Sequence, residues 1–138
     1  MHFFHGSNRS GLTILDPQQG ILDPNDWAGV DIDGNKIDGK VVWFTNNFEI
    51  AIAFALKDFV DDLAVDGQAK ILYVKSKQAL DSTMKGFVYR ISPETELIHV
   101  NELESYTCDP VQVVSCETVS IDSFQTYTVR CVEKFPFE

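Results

Sequence analysis

Basic residues are scarce in this chain: 11 lysines and arginines stand against 21 aspartates and glutamates, a net charge of −10. Such a surface repels polyphosphate backbones and gains no counterion release from DNA or RNA, so no nucleic-acid partner is expected. One local site can still hold a small phosphorylated ligand. Long apolar runs are missing too. No stretch approaches the ~20 residues of a membrane span, and Met1-His2-Phe3-Phe4 lacks the basic start and apolar core of a signal peptide. Cysteine is sparse: Cys108, Cys116 and Cys131 are odd in number and carry no CxxC spacing. They read as reduced thiols of a cytoplasmic protein, with Cys116 and Cys131 packed as small hydrophobes in strands.

Metal-ligand patterns are also wanting. His2, His5 and His99 show no zinc spacing with these cysteines, and no metal is expected. Asp31-Ile32-Asp33-Gly34-Asn35 fails as a calcium loop. Registering on Gly34 puts Gly29 first, Lys36 eighth and Lys40 twelfth, so the aspartates read as turn formers. No local signature supports a hydrolase built from Cys108 with His5 or His99.

What is present fits one globular domain, residues 1–138. The chain is 44% hydrophobic and 12% aromatic, and long enough to bury roughly two-thirds of its unfolded surface. His2 to Gly6 predicts a short opening strand. Asp16 to Lys40 is rich in turn signals: Asp16-Pro17, Asp23-Pro24, Asp33-Gly34 and Asp38-Gly39. Val41-Val42-Trp43-Phe44-Thr45 is apolar on both faces, as a buried strand is. A helix follows, with Asn46 as N-cap and Glu49 completing a capping box. Phe48, Ile52, Ala55, Phe59 and Val60 form its apolar stripe, which ends near Asp61-Asp62. Strands are expected at 70–75, 87–92, 97–100, 111–121 and 126–133. One early helix and mostly strand afterwards give an α+β class with a largely antiparallel sheet. Without βαβ alternation, a Rossmann fold is not expected.

Two segments carry candidate chemistry. His5-Gly6-Ser7 stands where the first strand stops. A glycine there lets a ligand approach the backbone, and the histidine offers a donor to a sugar hydroxyl. Read alone, the tripeptide is first a turn with a capping serine and an incidental histidine, since short motifs match by chance. Thirty-eight residues after His5, Trp43-Phe44-Thr45 closes a strand and opens the alanine-rich helix. Phe135-Pro136-Phe137 either covers a sheet edge or frays.

The order strand with His5-Gly6-Ser7, turn-rich loop, Trp43-Phe44-Thr45, then helix resembles the ADP-ribosyltransferase superfamily, particularly small bacterial members such as rifampin ADP-ribosyltransferase. Lys70 to Val74 looks like the strand after the family's helix. Ser105-Tyr106-Thr107-Cys108-Asp109-Pro110-Val111 is similar to its Ser-Tyr…Pro-Val segment. The resemblance implies two small, mostly antiparallel sheets forming a cleft that holds NAD as substrate. It also implies transfer of ADP-ribose to a protein or small-molecule acceptor with release of nicotinamide, through an oxocarbenium-like transition state. His5 would bond the adenosine-side ribose and Gly6 the nicotinamide amide, with Ser7 or Thr45 in support. Trp43 would stack where the family has tyrosine, and Arg9 would meet the pyrophosphate at the groove mouth. The catalytic carboxylate would be Glu104, before the Pro-Val strand, or Asp81, near the position used by the rifampin enzymes. The 16–40 loop, with Trp27, would choose the acceptor. Such a chain would suit a bacterial resistance factor, a toxin or a phage-encoded modifier. The alternatives are NAD hydrolysis, a non-catalytic module of the same fold binding a nucleotide or protein partner, and an RNA 2′-phosphotransferase, which the acidic charge disfavours.

Overall fold

The computed structural model describes residues 2–17, 41–56, 63–75 and 84–136. Ten strands occur there: β1 (Phe3–Ser7), β2 (Ile14–Leu15), β3 (Val42–Thr45), β4 (Leu63–Asp66), β5 (Ile71–Val74), β6 (Gly86–Ile91), β7 (Ile98–His99), β8 (Glu104–Thr107), β9 (Val111–Val119) and β10 (Thr128–Cys131). One α-helix, α1 (Phe48–Leu56), and a short 3₁₀ turn at Ile121–Ser123 complete them. Among the described residues the chain is therefore α+β, with mostly antiparallel strands and one main helix. The strands divide unequally. Seven form one sheet in the order β2-β9-β6-β1-β3-β8-β7, and three form another, β10-β5-β4. β10 runs parallel to β5, with Thr128 opposite Ile71 and Cys131 opposite Val74.

The central strands β1 and β6 have a core on each face, Phe3 and Phe4 of β1 and Val88 and Tyr89 of β6 turning to opposite sides. On β6, Val88 turns toward the helix, while Phe87, Tyr89 and Ile91 join Phe3, Leu15, Val42, Phe44 and Val111 on the other side. The helix-side core packs Ile52 and Leu56 against Leu72 and Val74 of the small sheet and Val88 and Val119 of the large one. α1 is thus sandwiched between two apolar surfaces. Its three buried alanines, Ala51, Ala53 and Ala55, let backbones come close.

That approach is closest over two glycines. A Cβ on Gly6 would lie 2.2 Å from the Ala51 carbonyl oxygen and 2.6 Å from the Ala55 nitrogen; one on Gly86 would lie 2.8 Å from Ala55. The helix begins one residue later than the sequence suggests. Asn47, not Asn46, is the cap: its Oδ1 accepts from the Ile50 N–H at 3.1 Å, and Thr45 Oγ1 accepts from the Asn47 N–H at 3.1 Å. Glu49 makes no capping box. Its Oε2 instead gathers the N–H groups of Gln125, Thr126 and Tyr127 at 3.3, 3.1 and 3.1 Å, and its Oε1 accepts from the Thr126 hydroxyl. This carboxylate thereby pins the loop leading into β10. Phe59 and Val60, expected on the helix stripe, lie outside the described residues.

All three cysteines are exposed, which corrects the expectation that Cys116 and Cys131 pack inside. Within β9, residues 112–118 are largely open at both parities, and Cys131 ends β10 at the margin of the small sheet. Toward the C-terminal end, the half-buried Phe135 ring lies 4.3 Å from Nζ of Lys75, the residue after β5.

Because both glycine seats are closed by helix backbone rather than by a flexible side chain, Gly6→Ala should cost roughly 1–3 kcal/mol or more. Urea unfolding measures this; a neutral Gly6→Ala would contradict the seat.

Candidate functional site

β1, β3 and β8 are neighbours in the large sheet, so segments far apart in sequence become adjacent. The β1–β3 ladder is short, registering only Phe4 with Thr45. One step on, the His5 imidazole reaches across, and its Nδ1 lies 2.8 Å from the Trp43 carbonyl oxygen. β8 then pairs fully with β3, setting Thr45 opposite Glu104, Phe44 opposite Ser105 and Trp43 opposite Tyr106.

Register decides which groups share a face, because residues directly opposite in a sheet point the same way. Trp43, Thr45, Glu104 and Tyr106 lie on the helix side, with the Trp43 and Tyr106 rings 5.6 Å apart. His5 lies on the other face, its ring 5.9 Å from Phe44. Trp43 therefore meets His5 through its backbone and not ring to ring. Trp43 and Glu104 are diagonal neighbours, a separation of about 7–8 Å in a regular sheet.

The histidine bond fixes a tautomer. A carbonyl oxygen only accepts, so Nδ1 carries the proton and the neutral ring presents a bare Nε2. Burial lowers the His5 pKa, outweighing the opposite pull of the Trp43 carbonyl, so the ring is neutral at pH 7. The expected donor to a sugar hydroxyl is thus an acceptor, and a ligand hydroxyl would donate to Nε2.

Glu104 is half-buried and held on one side. Its Oε2 accepts from Asn101 Nδ2 at 3.1 Å, while Asn101 Oδ1 accepts from the Leu103 and Glu104 N–H groups at 2.8 Å each. Among the described residues no hydrogen bond engages Oε1. Asn46, displaced from its expected capping role, ties this turn to the helix entry. Its N–H donates to the Leu103 carbonyl at 3.1 Å and its Nδ2 to the Glu102 carbonyl at 2.8 Å.

The remaining candidates divide. Gly6 has its Cα face against α1, so the helix seat accounts for glycine there and only its backbone edge toward β3 could meet a ligand. Ser7 Oγ accepts from the Arg9 N–H at 3.1 Å, and Thr45 Oγ1 serves the helix entry; both act as local caps. Arg9 is exposed, but its backbone is fixed: the Tyr89 hydroxyl donates to the Arg9 carbonyl and accepts from the Leu12 N–H at 3.3 Å. Asp81, Trp27 and most of the 16–40 loop lie outside the described residues. Phe54 was not anticipated. Its Cβ approaches to 3.1 Å of where a Gly6 Cβ would be, yet the residue is 46% exposed, an unusual state on a helix otherwise so buried. Its position off the buried stripe was the available signal. Ser105, also missed, is buried and its Oγ lies 2.8 Å from His99 Nδ1.

Two hollows lie elsewhere. One, about 350 Å³, is lined by Asn46, Asn47, Phe48, Glu49, Ser123 and Gln125; the other, about 400 Å³, includes Phe4, Phe48 and Arg90. Neither is lined by His5, Trp43 or Glu104. Among the described residues no helix is long and apolar enough to cross a membrane, and no three potential metal ligands converge. No family model, curated protein or solved structure matches this chain.

The depressed His5 pKa has a stability consequence whose sign is fixed. Below the ordinary histidine value of about 6.5 the unfolded chain binds a proton that folded His5 refuses, so stability falls as pH drops through that value. His5→Asn, which keeps a donor toward Trp43 but does not titrate, should lose less stability between pH 7 and pH 5 than the wild type. Paired urea titrations at the two pH values measure the difference; identical losses would refute the buried neutral ring.

Proposed function

We propose that this protein is an NAD-dependent ADP-ribosyltransferase, or a close NAD-cleaving relative, with its site on the β1–β3–β8 portion of the large sheet. What carries the reading is the adjacency in order of His5-Gly6-Ser7, Trp43-Phe44-Thr45 and Glu104, with His5 bonded to the Trp43 carbonyl where β1 and β3 part. In this reading His5 Nε2 accepts a hydroxyl of the adenosine-side ribose. Trp43 and Phe54 offer two aromatic surfaces beside the Gly6 backbone for nicotinamide. Glu104 Oε2 is held by Asn101, leaving Oε1 to face the second ribose. Nicotinamide leaves with the electron pair of its bond to ribose C1′. The acceptor's lone pair closes on that carbon, and its proton passes to the carboxylate. The cytoplasmic setting belongs to the same proposal.

A second reading, a non-catalytic NAD-binding module, is favoured by one observation. Asn101 and Glu104 satisfy each other in a tight turn that would be useful without any chemistry.

The two separate on incubation with NAD. An enzyme releases free nicotinamide, measured by chromatography with water or added nucleophiles as acceptors, and Glu104→Gln should reduce that release by at least about 10²-fold while NAD still raises the melting temperature. His5→Ala should remove the NAD-dependent shift. Stabilisation without nicotinamide supports the module; no shift and no nicotinamide rejects both. If Asp81→Ala is inactive and Glu104→Gln active, the carboxylate role passes to Asp81.

A further inference from the structure

Arg90 is a half-buried cation whose bonding capacity is unused. It lies on β6 on the helix side, opposite Phe4 of β1 and Ser115 of β9, so neither cross-strand partner is a carboxylate. Among the described residues no hydrogen bond or ion pair engages its guanidinium, although that group carries five donors. Glu49, on the helix turn that follows Phe48, is taken by the N–H groups of residues 125–127. Glu117 is one diagonal step away on β9, opposite Val88, and exposed. Leaving such a cation partly desolvated and unpaired has a free-energy cost that an incoming anion would offset.

The surroundings specify the rest of the ligand. Arg90 borders a hollow of about 400 Å³ with Phe4, Phe48, Val88, Ser115 and Glu117, within the range of small-molecule sites. Phe4 and Phe48 meet edge to face at 5.4 Å, and with Val88 they give the hollow an apolar side on which a ring can pack. Ser115 adds a hydroxyl beside the guanidinium. Glu117 and the chain's net charge of −10 act against a polyanion. We propose that this groove binds a small aromatic monocarboxylate: Arg90 takes the carboxylate in bidentate fashion and the Phe4–Phe48 pair takes the ring. The site is built on β1, β6, β9 and the start of α1, uses none of the residues given to NAD, and does not rest on the NAD reading.

Sodium benzoate is the probe, with benzyl alcohol and inorganic phosphate as controls, followed by calorimetric titration and thermal melting of the full chain. The expected result is saturable benzoate binding, little or none for either control, and at least about tenfold weaker binding to Arg90→Gln. Glu117→Gln, which removes the opposing charge and leaves Arg90 in place, should tighten benzoate. Benzyl alcohol binding as well as benzoate, phosphate outcompeting it, or equal affinity in wild type and Arg90→Gln overturns the proposal. So does unchanged affinity in Glu117→Gln.

Discussion

The seat of α1 on Gly6 and Gly86 is the constraint from which the arrangement follows. Helix backbone touches strand backbone there, with Ala51 and Ala55 against glycines that have no side chain to hold them off. A helix lying so low must leave β3 abruptly, and the turn through Thr45, Asn46 and Asn47 makes that possible. The same turn reaches the other way, since Asn46 clasps the carbonyls of residues 102 and 103 and so fixes β8 beside β3. Helix seat, strand order and the placing of Glu104 are one linked structure.

Around that seat the chain keeps its polar groups occupied. Among the described residues no buried side-chain nitrogen or oxygen lacks a partner, as folded proteins require. The groups left with spare capacity are therefore informative. His5 Nε2 on β1 and Glu104 Oε1 on β8 flank β3 from either side and from opposite faces of the sheet, each in a group whose other polar atom is already held. A side chain with one atom anchored and one unengaged is oriented at little further entropic cost to a ligand. Arg90, beside Phe4 of β1 and Phe48 at the start of α1, has spare capacity of a different sign and in a different setting.

Much of this was legible in the residues and some could not be. Strands β5 and β6 follow from their β-branched and aromatic runs, and α1 follows from its spacing and cap residues. The cap itself was ambiguous between two adjacent asparagines, and only the geometry assigns Asn47. β4, with Leu63-Ala64-Val65-Asp66, is too short and too mixed to stand out from the end of a helix. The parallel pairing of β10 with β5 joins segments separated by most of the large sheet, and no local pattern encodes it. Gly6 suggested a ligand because glycine admits close approach; the close approach is real, but the visitor at its Cα is α1. The exposure of Cys116 escaped a reading of strand composition because β9 runs on where neither core covers it. His5 was identified as a site residue, yet its protonation pattern depends on a carbonyl 38 residues away.

The most direct test of the β1–β3–β8 site is the state of the His5 ring itself. Long-range ¹H–¹⁵N correlation spectra at pH 7 distinguish the two neutral tautomers and report ligands at the bare nitrogen. The account predicts an Nδ1–H tautomer whose Nε2 resonance moves as NAD saturates the protein. An Nε2–H tautomer, or an Nε2 resonance indifferent to saturating NAD, would contradict it.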